Sequence, residues 1–383
     1  MLCNSEIFCI FAVMKILFLG DYSNLHACLA RELRKRGHDI TVVSDGGRYM
    51  DTDRDILLDR KPGFLGSVRY LYDIFSILPS LKGYDVVQFI NPHFLNLVPG
   101  RIKYFFDILK KENRSVFLTL AGNDYYFADA CLNSDMFKFS EFKVGDEYTE
   151  FEKQTMHGRR WTDTRLRRYA EHFYENIDGG MAILPEYDMA ARPILGDRLA
   201  FTNIPLQLES LPYSELNIGD LPVKIFIGMR GGMEVRKGTA LLLEISRELE
   251  RELPGKCVVE NVRNLPLKEY LRRMAGSHIV LDQLYSYSPG TNGFQAMALG
   301  RVAGTGAQPE FYEYISEPES RPIICLSTPD AEKIKETLRR LILNPEPLAG
   351  MSREGRRIVE TNNDVKIVAT RFENHWNKIL AKK

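Results

Sequence analysis

The residues best suited to chemistry cluster in two stretches of the second half of the chain. Residues 279–300 run from an apolar strand (Ile279, Val280, Leu281) through a polar turn into a short helix closed by Gly300; the turn holds Tyr287, Ser288, Gly290, Thr291 and Asn292. A helix that begins straight after such a turn points unpaired backbone N–H groups, and the positive end of its dipole, at whatever lies in front of it. That makes an anion site, and phosphate is its usual occupant. Residues 223–238 repeat the layout with cations added. An apolar strand leads to Arg230, two glycines, then Arg236 and Lys237, and a helix follows with Leu241, Leu242, Ile245 and Leu249 on its apolar face. Cations at a helix start oppose the dipole, which weakens the reading of them as plain surface residues. A phosphorylated ligand suits both stretches, because fixed cations and helix-start N–H groups stabilise its negative charge without reorganisation.

These residues need a frame of strands. Residues 15–20 form a short apolar run ending at Gly20, and Leu25, Leu29 and Leu33 recur at helical spacing up to Arg34, Lys35, Arg36 and Gly37, a basic helix end with a terminal glycine. Residues 38–44 are the next strand, so the unit is βαβ and predicts an α/β fold with a doubly wound parallel sheet. Ligands in such sheets sit at the carboxyl ends of strands. Gly20, Asp21 and Asn24 lie at one such end; strands at 85–90 and 115–120 end in Asn91-Pro92-His93 and in Ala121-Gly122-Asn123-Asp124. Pro205, Pro212 and Pro222 mark a linker, after which strands at 223–228, 257–260, 277–284 and 301–306 build a second α/β domain. Helices are expected at 330–342, 351–360 and 364–379, the last with Val365, Val368, Phe372, Trp376 and Ile379 on or beside an apolar stripe.

Composition narrows the class. The chain has 383 residues, enough for two domains, and 44% of them are hydrophobic, which excludes a mostly disordered chain. Lys+Arg and Asp+Glu both number 51, so no global field calls for nucleic acid. The six cysteines form no C-x-x-C pair and no ligand spacing with histidine, and read as reduced thiols. Residues 1–13 lack the basic start and cleavage site of a signal peptide, and no apolar run reaches the roughly 18 residues that span a bilayer. Met14 reads as a natural start, with residues 1–13 ascribed to start-site choice. Residues 157–169 hold five arginines among aromatics, which is either a solvated helix face or a surface for anionic lipid or a lipid-linked diphosphate. Asp51-Thr52-Asp53 has the spacing of a D-x-D metal motif but no strand to support it, and His93 reads first as an ordinary loop histidine.

Residues 223–306, and more weakly 86–124, resemble the retaining GT-B glycosyltransferases of family 4. The resemblance implies two Rossmann-like doubly wound domains with a cleft between them: an acceptor domain at 14–208, a nucleotide-sugar domain at 221–360, and a helix at 361–383 crossing back to the first. Arg230 and Lys237 would hold the donor diphosphate; Asn264 and Leu265 would pack the nucleobase; Tyr287, Ser288, Gly290, Thr291, Asn292 and Gln295 would complete the donor site. Gly20, Asp21, Asn24, His93 and Asn123 would lie on the acceptor side. Where family members carry histidine before Gly122, this chain has Ala121, and the paired loop glutamates of the family are Tyr287 and Gln295 here. Asp124 and Asp282 are the carboxylates expected in their stead to be catalytic.

The implied reaction moves a sugar from a UDP- or GDP-linked donor, as co-substrate with no separate cofactor and no metal, onto a glycan or lipid-linked acceptor. The implied setting is surface polysaccharide assembly in the cytoplasm, with peripheral contact at the membrane face. A non-catalytic nucleotide-sugar-binding protein, or a UDP-sugar 2-epimerase of the same fold, remains open.

Overall fold

The computed structural model describes residues 13–47, 51–219, 222–326 and 330–383. The expectation for residues 1–13 therefore falls, but for Val13, outside the described residues, as do positions 220 and 221 of the expected linker.

The first sheet contains β1 (Lys15–Leu19), β2 (Asp39–Ser44), β3 (Ile56–Leu57), β4 (Val86–Phe89) and β5 (Val116–Leu120). A small hairpin of β6 (Lys143–Val144) and β7 (Glu147–Tyr148) interrupts the sequence before β8 (Gly179–Ala182) and β9 (Leu199–Phe201) complete the sheet. Its order is β3-β2-β1-β4-β5-β8-β9, and every pairing is parallel. The second sheet has β10 (Val223–Met229), β11 (Cys257–Arg263), β12 (Ile279–Leu281), β13 (Val302–Thr305) and β14 (Ile324–Cys325), in the order β11-β10-β12-β13-β14, again all parallel. Fully buried, mostly apolar runs such as Val-Phe-Leu-Thr-Leu at 116–120 suit strands covered by helices on both faces. In each sheet the strand order reverses beside the first strand, β1 against β4 and β10 against β12. Crevices that bind ligands open at such points.

The two halves are joined at two adjacent crossings. Leu206 N–H donates to the Asn363 carbonyl at 2.7 Å, and Val365 N–H donates back to the Leu206 carbonyl at 3.0 Å. The helix Val365–Leu380 then packs on the first sheet, where Val368, Phe372 and Trp376 share a core with Ile16, Phe18, Leu29, Phe117 and Met181. A buried polar chain starts on this helix. Trp376 Nε1–H donates to Gln88 Oε1 (2.9 Å), and Gln88 Nε2 donates to the Thr119 hydroxyl (2.9 Å). His26 joins Thr119 (2.9 Å) to the carbonyl of Gly20 (2.7 Å). Burial drives the His26 pKa down to about 3. The ring is therefore neutral: Nδ1–H donates to Gly20, and Nε2 accepts from the Thr119 hydroxyl.

Trp376→Phe keeps an aromatic ring in the core, gives up part of the indole volume and strands Gln88 Oε1. It is expected to cost about 1–3 kcal/mol in urea unfolding, the penalty for an unsatisfied buried acceptor. Trp376→Leu should cost more, because it empties more volume in the shared core.

Candidate functional site

A cleft of about 520 Å³ lies between the halves, walled by loops at the carboxyl ends of strands in both sheets. Arg230, Arg236 and Lys237 follow β10 on the C-terminal wall, and Gln283, Tyr285, Ser286, Gly290 and Thr291 lie between β12 and the helix Thr291–Ala298. The N-terminal wall has Asp21 and Tyr22 after β1, Asp45 after β2, Gly122 after β5, and Glu186 and Tyr187 after β8, together with Glu141 from the segment before β6. Among the described lining residues every Arg and Lys stands on the C-terminal wall and every carboxylate on the N-terminal wall.

Gly20 makes the turn that delivers Asp21. Its φ is +80°, and a Cβ there would sit 2.3 Å from Ile90 Cγ2, so only glycine lets β1 end against β4 in this way. Asp21 is buried; its Oδ1 accepts the His26 backbone N–H at 2.9 Å, while Oδ2 is itself buried, with Thr52 beside the carboxylate. Burial raises the pKa of Asp21. Asp21 thus stands at the cleft wall with its second carboxylate oxygen shielded from the opening.

Lys237 is fixed from behind. Its Nζ lies 3.0 Å from Asp282 Oδ1, and Asp282 is only 1% exposed. Asn292 Nδ2 donates to the same oxygen at 3.3 Å and is itself held by the Tyr270 hydroxyl at 2.9 Å. The loops that carry Lys237 and Asp282 are tied by Leu284 N–H to the Lys237 carbonyl at 3.0 Å. Arg236 makes a two-pronged ion pair with Glu141 across the cleft, with Nη2 at 2.7 Å from Oε1, and Asn123 Nδ2 donates to that oxygen at 2.8 Å. Charge on both sides of the cleft thus links the halves. The Ser288 hydroxyl adds a further link, donating at 2.6 Å to Glu186, whose pKa burial raises.

Of the residues expected for the donor site, Arg230, Lys237, Gly290 and Thr291 come together on the cleft wall, and Asp21 faces them. Others are placed elsewhere. Asp282, expected to be catalytic, is buried beneath Lys237 and positions it instead. Asp124, the second expected catalytic carboxylate, caps the helix Tyr125–Asn133: Phe127 N–H donates to Oδ1 at 2.8 Å, and the Tyr174 hydroxyl donates to Oδ2. Tyr287 turns out of the cleft, stacks on Phe139 with ring centroids 4.7 Å apart, and accepts the Lys138 N–H at 2.7 Å. Ser288 is buried and spent on Glu186.

Asn292 and Asn264 hold loops, Asn264 by accepting the Gly231 N–H at 3.2 Å. Leu265 packs against the second-half core, and Gln295 is half-buried on its helix, outside the wall. His93 packs edge-on to Trp161 and Tyr169, away from the wall, and burial lowers its pKa to about 4. Asn24 starts the helix Leu25–Lys35 in a left-handed conformation, and Asn123 serves through Glu141.

Ion pairs engage both carboxylates of the D-x-D spacing and part of the arginine-rich segment. Arg54 takes Asp51 at 2.8 Å and Arg31 takes Asp53 at 3.0 Å, so different arginines engage the carboxylates of the D-x-D spacing. In the arginine-rich segment Arg159 pairs with buried Glu152 at 3.0 Å and Arg167 with Glu171 at 2.8 Å. Asp45, Glu141 and Glu186 were not singled out from the sequence. Glu186 opens the helix after β8, whose Gly-Gly-Met-Ala run has little strand character, and Glu141 sits in an irregular insertion without periodicity.

No protein-family model matches this sequence, and no curated protein matches it. Solved structures do match over nearly the whole chain. Sucrose-phosphate synthase from Thermosynechococcus elongatus aligns with a TM-score of 0.63 and 12% identity over 96% of this chain and 100% of that one. WaaG, a glycosyltransferase involved in lipopolysaccharide biosynthesis, aligns at 0.59 and 13% identity over 95% and 99%. Anabaena Alr3699/HepE, solved in complex with UDP-glucose, aligns at 0.59 and 12% over 97% and 100%. With two parallel sheets meeting at a cleft lined by strand ends, and these neighbours over its length, the chain has the GT-B fold of two Rossmann-like domains.

Proposed function

We propose that the protein transfers a sugar from a nucleotide diphosphate sugar to a hydroxyl of a glycan or lipid-linked acceptor, with retention at the anomeric carbon and without a metal. The segregation of charge across the cleft carries this reading. Arg230, Lys237 and the N–H groups opening the helix Thr291–Ala298 form an anion-binding wall, which suits the donor diphosphate. Asp21, Asp45, Glu141 and Glu186 form the facing wall, and carboxylates suit the hydroxyls of a sugar acceptor.

In the proposed step the bond from the sugar C1 to the diphosphate oxygen breaks and a bond from C1 to the acceptor oxygen forms. Lys237 and Arg230 stabilise the charge gathering on the diphosphate. The Asp21 side chain, on the facing wall, orients the acceptor hydroxyl, whose proton passes to the departing diphosphate oxygen. Retention rests on the resemblance of residues 223–306 to the retaining family, and a UDP or GDP donor on the same ground. Two neighbours solved with UDP or UDP-glucose agree with a nucleotide-sugar ligand.

The test is a thermal-shift panel of UDP, GDP, ADP and CMP sugars, followed by assay of free nucleotide release with a mixture of glycan acceptors and NMR of the product anomer. Selective stabilisation by one nucleotide with release is expected. Binding with no release from any acceptor would favour a non-catalytic binding protein, a reading to which the displacement of Tyr287 and Gln295 from the cleft wall lends weight. No stabilisation by any nucleotide would remove the donor site and the proposal with it.

A further inference from the structure

The helix Gly63–Ile77 buries only Tyr70 and Ile74 fully. Its opposite side carries Phe64, Val68, Tyr72 and Phe75 at helical spacing, with Leu65 beside them. All five stand about half exposed or more, and Phe64 and Leu65 are 81% exposed among the described residues. The stripe continues onto neighbouring residues. Phe75 meets Phe105 edge-on at 5.2 Å, next to exposed Tyr104, and Leu57 and Val98 are exposed as well. An exposed apolar stripe along a whole helix of an otherwise well-buried fold marks a docking surface.

Topology places it. The helix Gly63–Ile77 follows β3, and the helix Pro99–Glu112 follows β4. In a parallel sheet both helices start at the carboxyl ends of the strands, the end at which the cleft opens. Leu57, Phe64, Leu65 and Val98 therefore lie at the cleft end of the first domain.

Charge selects the occupant. Residues 57–77 and 98–107 contain five cations (Arg60, Lys61, Arg69, Arg101, Lys103) and three carboxylates, on a chain of zero formal net charge. Asp73 and Asp107 lie in the second halves of the helices, paired with Arg69 and Lys103, and at the cleft end Asp59 pairs with Lys61 at 2.7 Å, so Arg60 and Arg101 supply the excess positive charge there. Arg60 is held by neutral groups, the Asn96 carbonyl and the Ser67 hydroxyl. A second copy of the chain meeting this face about a two-fold axis would set cations against cations. An apolar stripe rimmed by cations matches the interface of an anionic bilayer.

We propose that the face formed by Leu57, Phe64, Leu65, Val68 and Val98, with Lys61 and Arg101 at its rim, docks the protein on an anionic lipid surface. The cleft mouth then lies beside the membrane. The proposal rests on the glycosyltransferase reading only for what docking delivers, an acceptor embedded in that same surface. None of these residues belongs to the arginine-rich segment 157–169.

The experiment is co-flotation with phosphatidylcholine vesicles with and without phosphatidylglycerol. It compares the wild type, Phe64→Ser with Leu65→Ser, Lys61→Glu with Arg101→Glu, and Arg160→Glu with Arg168→Glu. Wild type is expected to float with the phosphatidylglycerol vesicles. The first two double variants should lose about tenfold or more in partitioning at unchanged melting temperature, and the third should float like wild type. The proposal is overturned if wild type stays unbound, or if Phe64→Ser with Leu65→Ser floats like wild type. Concentration-dependent self-association that this variant abolishes, without vesicle binding, would also overturn it in favour of a second copy. The nucleotide thermal shift is read separately: its absence in wild type would sink the transferase and leave docking standing.

Discussion

Lys237→Ala is expected to lower kcat/KM for the nucleotide sugar by about 10²–10³-fold, the usual loss when one fixed group is removed from a developing negative charge. The same change should also weaken the fold. Asp282 is 1% exposed, and Lys237 is its counter-ion. Removing one partner of such a pair leaves a buried charge without compensation, which costs about 3–5 kcal/mol for a fully buried pair. Here Lys237 is about a third exposed, so screening reduces the figure to about 2–3 kcal/mol. The two effects separate in the double variant. Lys237→Ala with Asp282→Asn removes the stranded charge, so urea unfolding should recover most of the lost stability while turnover stays low. Recovery of turnover together with stability would show that Lys237 acts only as a structural counter-ion, and the donor site would have to be reassigned.

Asp21→Asn is expected to act in the opposite sense on stability. The substitution keeps an oxygen for the His26 N–H but turns the other oxygen, an acceptor, into a donor. Loss of an oriented hydroxyl should reduce kcat by about 10²-fold, with the donor thermal shift unchanged. The stability effect follows from the raised pKa of the buried carboxyl. A carboxyl whose folded pKa lies above its unfolded value binds protons more tightly in the native state. Its favourable contribution is full below the unfolded value, near 3.8, and is lost as pH rises through the folded value. Asp21→Asn lacks this loss. The melting temperature of the variant relative to wild type should therefore rise from about pH 4 upward and level off above the raised pKa. Activity of the wild type should show an acid limb above the ordinary carboxylate range, and the variant should lack it. A flat melting difference with pH would show that Asp21 is not buried as a charged group, and an unchanged kcat would remove it from the acceptor side.

The sequence made the two sheets legible because their strands are short apolar runs bounded by glycine and polar turns, a local pattern that needs no tertiary context. Arg230, Lys237, Gly290 and Thr291 were legible for the same reason: each lies at a strand-to-helix junction, where parallel topology itself directs residues to a ligand. On the carboxylate wall Asp21 was legible in the same way, but Glu141 and Glu186 were not. Glu141 reaches the cleft from an irregular insertion between β5 and β8, and Glu186 from a helix after a strand of two glycines, a methionine and an alanine. Neither has a local signature, because long-range packing sets both positions. Tyr287 shows the converse. Its place in the sequence suggests the donor, but Phe137 and Phe139 of the other half offer its ring an apolar partner, and that packing wins.

The return of residues 365–380 to the first sheet bears on how the protein comes to exist. A nascent chain that has reached residue 219 has made every strand of the first sheet, yet the face under Ile16, Phe18, Phe117 and Met181 still lacks Phe372 and Trp376. At elongation rates of about 5–20 residues per second, that apolar face waits on the order of ten seconds for its cover. The first domain is thus born incomplete and exposed to aggregation, and chaperone demand during synthesis should fall when residues 365–380 are supplied early as a separate peptide. Circular permutation that places this helix ahead of β1 would let the first domain close as it is made.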